Sequence, residues 1–358
     1  MARGKIFMEN MKSRILGALY GMACGDAMGV PTSFMSQEYI AKRWGWIDTF
    51  LPPEPGHIFH DGLTAGEYTD DSEQAVALMN SYIRNGKVVP HDVVNEILLW
   101  AERVKDKYVS PLGPSTAKAL KAIKEGADIT VSGRYADSNG SAMRISPMGI
   151  IHGLRGSSMD ELVRDVYMTC MPTHNTAVCV SGACAVAMGV KLCIEGERNL
   201  DEIVRQTMAA ADRGREYGYD TAAPMISKRI AFACDIVDSS ADIHEGMKKL
   251  YWYFGGGDLI ADSVPASIAL FVLGKGDPKK VIEICVNFGG DCDTNAAMAG
   301  AMAGAYSGLE TIPGEWVETI KTVNKIDMEP YADRLIGLAP DWKSAAESDC
   351  KASFYRLN

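Results

Sequence analysis

The sequence predicts an all-α protein that folds as one compact multi-helix domain over residues 1–358. Apolar residues recur at helical spacing along most of the chain, whereas the alternating patterns typical of strands are scarce. With 358 residues, 47% of them hydrophobic, the chain is long enough to bury a large core. No internal repeat or clear linker divides it, so we expect a single domain whose motif-bearing core covers about 11–325.

The first predicted helix covers 11–24 and is expected to stop at Gly25. Its small residues, which permit close packing, are Gly17, Ala18, Gly21 and Ala23. The segment at 174–195 is apolar on nearly all sides, which predicts a central buried helix. The other predicted helices are 69–84, 90–105, 115–125, 145–154, 158–170, 199–213, 222–236, 262–273, 277–287, 293–307 and 314–324. Loops are predicted at 45–67, 110–116 and 137–144, and a loop as long as the first is usually functional or disordered.

Charge and cysteine content limit the possible partners and the compartment. The formal charge of −10 argues against binding to nucleic acid or to an anionic membrane surface. Nine cysteines without a CxxC pair indicate buried free thiols in a reducing compartment. The apolar run at 15–24 is too short to span a bilayer, and no small-residue cleavage site follows it. We therefore expect a cytoplasmic protein.

Two acidic clusters, far apart in the sequence, each lie where a helix is predicted to begin. The clusters are Thr69-Asp70-Asp71 and Asp291-x-Asp293-Thr294. Helix capping alone would account for such residues, because the free N–H groups and the dipole of a helix favour hydroxyls and acids there. Gly289 and Gly290 indicate a further role for the second cluster, since glycines allow a positive φ or a close approach of the backbone to a ligand.

If the fold brought the clusters together, four carboxylates and two hydroxyls would share a small volume. Carboxylates at that density repel one another unless cations lie between them. Oxygen-only ligands favour Mg²⁺, Mn²⁺ or Ca²⁺ over Zn²⁺. Asp291 and Asp293 can share one ion from a non-helical turn, and Thr294 adds a neutral oxygen. The sequence therefore predicts one metal site made from both clusters.

Several motifs, taken together, resemble those of the ADP-ribosylglycohydrolase family. They are the small-residue pattern at 17–29, T-D-D-S at 69–72, N-G-S-A-M-R at 139–144, T-H at 173–174 and G-G-D-C-D-T-N-A-A at 289–297. Each motif alone is weak, but their common order is specific, and the resemblance extends from about residue 14 to 308.

The resemblance implies an all-α domain with two Mg²⁺ (or Mn²⁺) ions in a cleft. The ligands it implies are Thr69, Asp70, Asp71, Asp291, Asp293 and Thr294, with Asp293 as the bridging ligand. It also implies substrate-binding residues, which are Ser115, Asn139, Gly140, Ser141 and His174. A lone histidine at the start of an apolar helix is otherwise more often a buried structural residue, so both readings of His174 stay open.

The opening motif departs from the family pattern at one position. The family has a glutamate before phenylalanine that approaches the metals and the substrate, whereas this chain has Ser33 before Phe34. A serine can coordinate a metal weakly or hold a water, but it supplies neither charge nor a base. Ser33 is therefore a candidate substrate-binding residue, together with Glu67, while Glu38 and Glu67 are the nearby acids that could compensate.

The resemblance further implies hydrolysis at the anomeric carbon of a ribose, most simply the removal of ADP-ribose from a modified protein. Asp70, Asp71 and Asp293 are the candidate catalytic residues, which would orient a water and stabilise an oxocarbenium-like transition state. No serine, cysteine or histidine nucleophile motif is present, which favours direct attack by water.

Two alternatives remain open at this stage. One is an N-glycosidase that acts on a ribosyl small molecule, either a nucleoside or a nucleotide. Trp44, Trp46 and the loop to Phe59 would then enclose a small pocket for this substrate. The other is a non-catalytic, metal-supported binding protein. The pattern of a di-iron helical bundle, a P-loop or a Rossmann fingerprint is not found.

Overall fold

Helices make up the regular structure of the residues that the computed structural model describes, 2–105 and 112–339. No strand longer than an isolated bridge occurs in these residues, so the all-α prediction is confirmed. In chain order the helices are α1 Ala2–Gly29, α2 Gln37–Trp44, α3 Asp70–Asn85, α4 Pro90–Val104, α5 Pro114–Lys124, α6 Ile129–Ser132, α7 Gly140–Met143, α8 Ser146–Arg155, α9 Met159–Cys170, α10 Ala177–Glu195, α11 Leu200–Gly214, α12 Ile226–Asp238, α13 Ile243–Phe254, α14 Ile260–Leu273, α15 Pro278–Val286, α16 Cys292–Ser307, α17 Gly314–Asn324 and α18 Glu329–Gly337.

A seam of small residues joins α1 to α16 in an antiparallel pair. A Cβ added to Gly21 would lie 2.2 Å from the carbonyl oxygen of Gly300, and one added to Gly25 would lie 2.1 Å from that of Ala296. Backbones this close leave no room for a side chain at these positions. The seam therefore sets the distance between the C-terminal end of α1 and the N-terminal end of α16, where Gly29 lies against Asp293.

The predicted stop of the first helix at Gly25 is wrong, because α1 continues to Gly29. Gly25 does not have the positive φ of a helix-ending glycine. Along α1 the glycines recur every four residues and face α16, so they mark a packing seam rather than a helix end. A short 3₁₀ turn at Val30–Thr32 then redirects the chain.

The central helix of the core is α10, as predicted. It is also long and apolar enough to cross a membrane, but 94% of its apolar window is buried inside the protein. Burial on all sides identifies it as a core helix. The eight described cysteines are all free and buried, as expected, and Cys350 lies outside the described residues.

Most predicted helices are present within a few residues of their expected bounds, and the long loop at 45–67 contains no helix. Five helices are additional, namely α2, α6, α7, α13 and α18. The last residues of α13 are aromatic, a composition that favours strands locally, and burial of Met247, Leu250 and Phe254 on one face stabilises a helix instead. The predicted loop at 110–116 lies partly outside the described residues.

Candidate metal centre

The N-terminus of α3 is capped by a side chain from α1. Thr69 donates to Asp26 Oδ1 from both its backbone N–H and its hydroxyl, each at 2.9 Å. Ser72 donates to Asp26 Oδ2 from its backbone N–H at 3.0 Å and from its hydroxyl at 2.7 Å. Asp26 therefore takes the place of a local cap, and Asp70 and Asp71 are free of that role.

The two acidic clusters meet at the start of α3 and α16. The Thr294 hydroxyl donates to Asp71 Oδ1 at 3.2 Å, across 223 residues of sequence. The side chains from the two clusters that line one cleft are those of Asp70, Asp71, Asp291, Asp293 and Thr294. The convergence expected from the sequence is thus present in the fold.

Asp291 does not cap α16 with its side chain. Instead its Oδ2 accepts a hydrogen bond from Asn139 Nδ2 at 2.6 Å. The same Asn139 nitrogen donates to Ser263 Oγ at 3.1 Å, which ties the loop before α7 to α14. Thr69 likewise makes no side-chain cap to α3. Capping, the simpler reading of both clusters, does not describe either of them.

Gly289 and Gly290 both have positive φ, at 95° and 79°. Their close contacts are with the chain itself, since a Cβ on Gly290 would lie 2.4 Å from the Gly255 oxygen. Gly290 also exchanges backbone hydrogen bonds with Phe34 and Met35, at 2.6 and 2.9 Å. The glycines therefore attach the segment after Ser33 to the acidic turn before α16.

Burial and mutual repulsion dominate the electrostatics of the acids. Burial, followed by the nearby Asp293, raises the pKa of Asp26 to about 6 and that of Asp70 to about 7. Burial and neighbouring carboxylates also raise the pKa values of Asp71 and Asp291 well above their usual range. Burial acts the same way on Asp293, but contacts with His60 and with its other neighbours outweigh it and lower the pKa of that carboxyl.

The donor atoms fit a hard divalent cation. Asp71 Oδ2 is buried without a hydrogen-bond partner in the described structure, which is costly unless a cation or water meets it. Among the described residues, His60 is the only basic side chain within ion-pair distance of any of these carboxylates. Carboxylates with a threonine hydroxyl are the ligands that Mg²⁺ and Mn²⁺ prefer. Within the described part of the chain, no group of three His, Cys, Asp or Glu side chains converges closely enough to hold one ion.

Ser33 lies against the acids rather than at the rim. It is 1% exposed, and its hydroxyl donates to Asp293 Oδ1 at 2.5 Å. On the other oxygen of the same carboxylate, His60 Nε2 lies 2.9 Å away. Glu38 is exposed on α2 and Glu67 accepts hydrogen bonds from Thr64, so neither acid lines this cleft.

Some of the predicted site residues lie behind the cleft wall. Asn139 and Gly140 line the cleft, but Ser141 donates to the Cys179 carbonyl at 3.2 Å. Ser115 is half-buried at the start of α5, where its neighbours Pro114 and Thr116 line the cleft instead.

His174 is fully buried behind Gly140. Its ring nitrogens lie 2.8 Å from the Thr173 hydroxyl and 3.1 Å from the Ser138 hydroxyl. Burial, with the charge of Arg144, holds the pKa of His174 well below its usual range. This environment corresponds to the buried structural reading of His174.

Sequence reasoning missed Phe34, His60 and Asp258, which line the cleft. It also missed Asp26 and His57, which lie outside the lining and hold α3 and the histidine loop in place. Phe59 lines the cleft, as the small-pocket alternative expected. The rings of Phe34 and Phe59 pack with centroids 4.7 Å apart and line the cleft. Trp46, expected beside Phe59, donates instead to Glu283 and lies outside the cleft lining. One available signal was that two of the six histidines fall within one long loop.

Comparison with known proteins identifies the fold and the family. A family model described as ADP-ribosylglycohydrolase matches residues 8–345. The uncharacterized protein YegU of Escherichia coli is 34% identical over 90% of this chain and 96% of its own length. The ADP-ribosyl-[dinitrogen reductase] glycohydrolase of Rhodospirillum rubrum is 25% identical over 92% of this chain and 98% of its own length.

A solved structure described as an ADP-ribosylglycohydrolase-related protein complex has the same fold. It superposes with a TM-score of 0.69 at 21% identity and covers 92% of this chain and 99% of its own. The resemblance expected from the motifs is thereby confirmed over nearly the whole chain. The chain belongs to the ADP-ribosylglycohydrolase family.

Proposed function

We propose that the protein is a metal-dependent glycohydrolase that removes ADP-ribose from a modified acceptor, with two Mg²⁺ or Mn²⁺ ions in the cleft. The observation that carries the proposal is the meeting of two buried acidic clusters, neither of which caps its own helix. The name of the Rhodospirillum rubrum relative, an ADP-ribosyl-[dinitrogen reductase] glycohydrolase, supports a protein acceptor. The residues proposed to hold the ions are Thr69, Asp70, Asp71, Asp291, Asp293 and Thr294.

In this proposal the acids on α3 position the attacking water. Asp70 is oriented by Gln74 Nε2, which donates to its Oδ2 at 3.2 Å, and Gln74 in turn accepts from Arg144 at 2.7 Å. The water oxygen forms a bond to the anomeric carbon as the bond to the acceptor breaks. The acceptor leaves with a proton that the water gives up. When bound, the divalent cations would hold ribose hydroxyls and lower the pKa of water.

Other residues of the cleft lining are suited to hold the rest of the substrate. Asn139 and Gly140 lie at the start of α7, and the buried Thr116 hydroxyl belongs to α5. Phe34 and Phe59 provide an apolar face on the same cleft. An aromatic face of this kind stacks on a planar base, while hydroxyl and amide groups hydrogen-bond to ribose or phosphate.

The direct test is an activity assay of the wild type, of a double variant in the cleft and of a control variant outside it. The full-length protein should release ADP-ribose from ADP-ribosylated arginine or serine peptides in Mg²⁺ or Mn²⁺, and excess EDTA should abolish the release. Asp291→Ala with Asp293→Ala should lower kcat by at least about 100-fold and remove bound metal. Asp277→Asn, which can still cap α15 far from the cleft, should change neither quantity.

A second candidate, an N-glycosidase of free nucleosides or nucleotides, is favoured by the Phe34–Phe59 pair beside the acids. A base stacked on the exposed side of this aromatic pair is the leaving group that such an enzyme requires. Release of a free base from nucleosides, without release of ADP-ribose from any peptide, would establish this candidate over the first. Metal binding without turnover of either substrate class would instead indicate a binding protein.

A further inference from the structure

The loop between α2 and α3 brings a histidine to the acids of the cleft. His60 Nε2 lies 2.9 Å from Asp293 Oδ2, and its side chain is 10% exposed. The two atoms are close but are not aligned as a hydrogen bond, so this nitrogen is a buried polar atom without a hydrogen-bond partner among the described residues. An ion, a water or a catalytic role can account for such an atom.

His60 is held in this position by the neighbouring histidine. His57 Nδ1 accepts the backbone N–H groups of Phe59 and His60, at 3.3 and 3.2 Å. Because Nδ1 accepts, Nε2 carries the proton, and it donates to the Ser33 carbonyl at 3.1 Å. The two rings stack with centroids 5.0 Å apart. Both nitrogens of His57 are therefore engaged in holding the loop, while Nε2 of His60 faces the acids.

We propose that His60 supplies a nitrogen ligand to the same cation that Asp293 holds. This inference rests on the metal centre proposed above. Two ligand atoms at right angles around one ion, each about 2.1 Å from it, are about 3.0 Å apart. The separation of His60 Nε2 and Asp293 Oδ2 is 2.9 Å. The two atoms therefore already lie at the separation expected of two ligands of one ion.

A nitrogen ligand would make the two cation positions chemically different. One position would have oxygen ligands only, whereas the other would combine oxygen with an imidazole. Imidazole raises affinity for Mn²⁺, Co²⁺ and Ni²⁺ relative to Mg²⁺, because these ions accept nitrogen ligands more readily. The His60 position is therefore expected to select a transition metal, and the oxygen-only position to accept Mg²⁺.

The test is pulsed electron paramagnetic resonance of the full-length protein loaded with Mn²⁺, in natural-abundance form and with ¹⁵N-labelled histidine. The wild type should show ¹⁴N couplings that change to ¹⁵N couplings on labelling. His60→Gln should lose them and should lower the ratio of Mn²⁺ to Mg²⁺ affinity by about tenfold, because the imidazole ligand that favours Mn²⁺ is removed. The matched control is His174→Gln, which alters another buried imidazole near the cleft and should retain the couplings.

A further variant separates a lost ligand from a misfolded loop. His60→Asp should still bind Mn²⁺ but without nitrogen coupling, because a carboxylate replaces the imidazole. Bound Mn²⁺ without nitrogen coupling in the wild type, or coupling that persists in His60→Gln, would overturn the role of His60 and leave the metal centre intact. Failure of the wild type to bind Mn²⁺ in equilibrium dialysis would overturn the metal centre and this inference together.

Discussion

Asp26 lies on α1 but serves as the N-cap of α3. Four donors from Thr69 and Ser72 converge on its two oxygens. A local cap would satisfy the same backbone N–H groups, but it would require the side chain at the start of α3 itself. By accepting these bonds from another helix, Asp26 both fixes α3 against α1 and leaves Asp70 and Asp71 to face the cleft.

Asp26→Ala should lower the free energy of unfolding by about 3 kcal/mol, because four buried donors lose their acceptor. Removal of one buried charge also relieves repulsion with Asp293, but the unpaired donors outweigh that relief. Asp26→Asn should cost less, since its amide oxygen still accepts from Thr69. Urea denaturation of the three proteins measures the difference, and equal midpoints for wild type and Asp26→Ala would contradict this account.

At the scale of elements, α3 and α16 both begin at the cleft. The free N–H groups at a helix N-terminus carry partial positive charge, which stabilises nearby acids. Asp70 and Asp71 lie in the first turn of α3, and Asp293 lies in that of α16. The helix dipoles therefore offset part of the repulsion that the acids create.

The seam between α1 and α16 can be tested with a single methyl group. Gly21→Ala would place its Cβ 2.2 Å from the Gly300 oxygen, a backbone atom that moves only if the helices separate. We expect the free energy of unfolding to fall by about 3 kcal/mol. Thermal and urea denaturation measure this change.

Gly337→Ala is the matched control for the seam. Gly337 lies in α18 with nothing within 4 Å of an added Cβ. Alanine there should raise stability by about 0.5 kcal/mol, because it reduces the freedom of the unfolded chain. A similar loss of stability in both variants would show that the close approach of α1 and α16 is not the cause.

At the scale of the whole molecule, metal removal should change the dependence of stability on pH. In the metal-free protein, the pKa of Asp70 is raised from 3.8 to about 7. Between these two values the folded state binds a proton that the unfolded chain has lost. The contribution of Asp70 to the free energy of unfolding is therefore full below pH 3.8 and disappears as the pH rises through 7. A bound cation reverses the direction of this pH dependence, because the cation binds only ionised carboxylates and so stabilises the fold more as the pH rises.

The increase in melting temperature on adding Mn²⁺ should therefore be larger at pH 8 than at pH 5.5. At about 100 times its dissociation constant, a metal stabilises the folded state by about 2.7 kcal/mol. Calorimetry with Mn²⁺ or with EDTA at both pH values measures the effect. An increase that is the same at both values would show that the buried acids do not bind the ion.

Much of the fold was predictable because helical periodicity is a local property of the chain. The spacing of apolar residues indicated α10 and most other helices, and the two acidic clusters stood out by composition. The motifs also identified the family. The sequence did not predict α13, because the aromatic run before Gly255 favours a strand locally and only packing of its buried face decides for a helix.

The tertiary structure alone decided which residues meet. Asp26 caps a helix 43 residues away, and Thr294 contacts Asp71 across 223 residues. Such contacts follow from the packing of α3 against both α1 and α16, which no local pattern encodes. The loop that carries His60 likewise reaches Asp293 only in the folded chain. By itself the sequence determined the all-α class, the family and the acids, whereas the cap, the histidine and the shape of the cleft were determined by long-range packing.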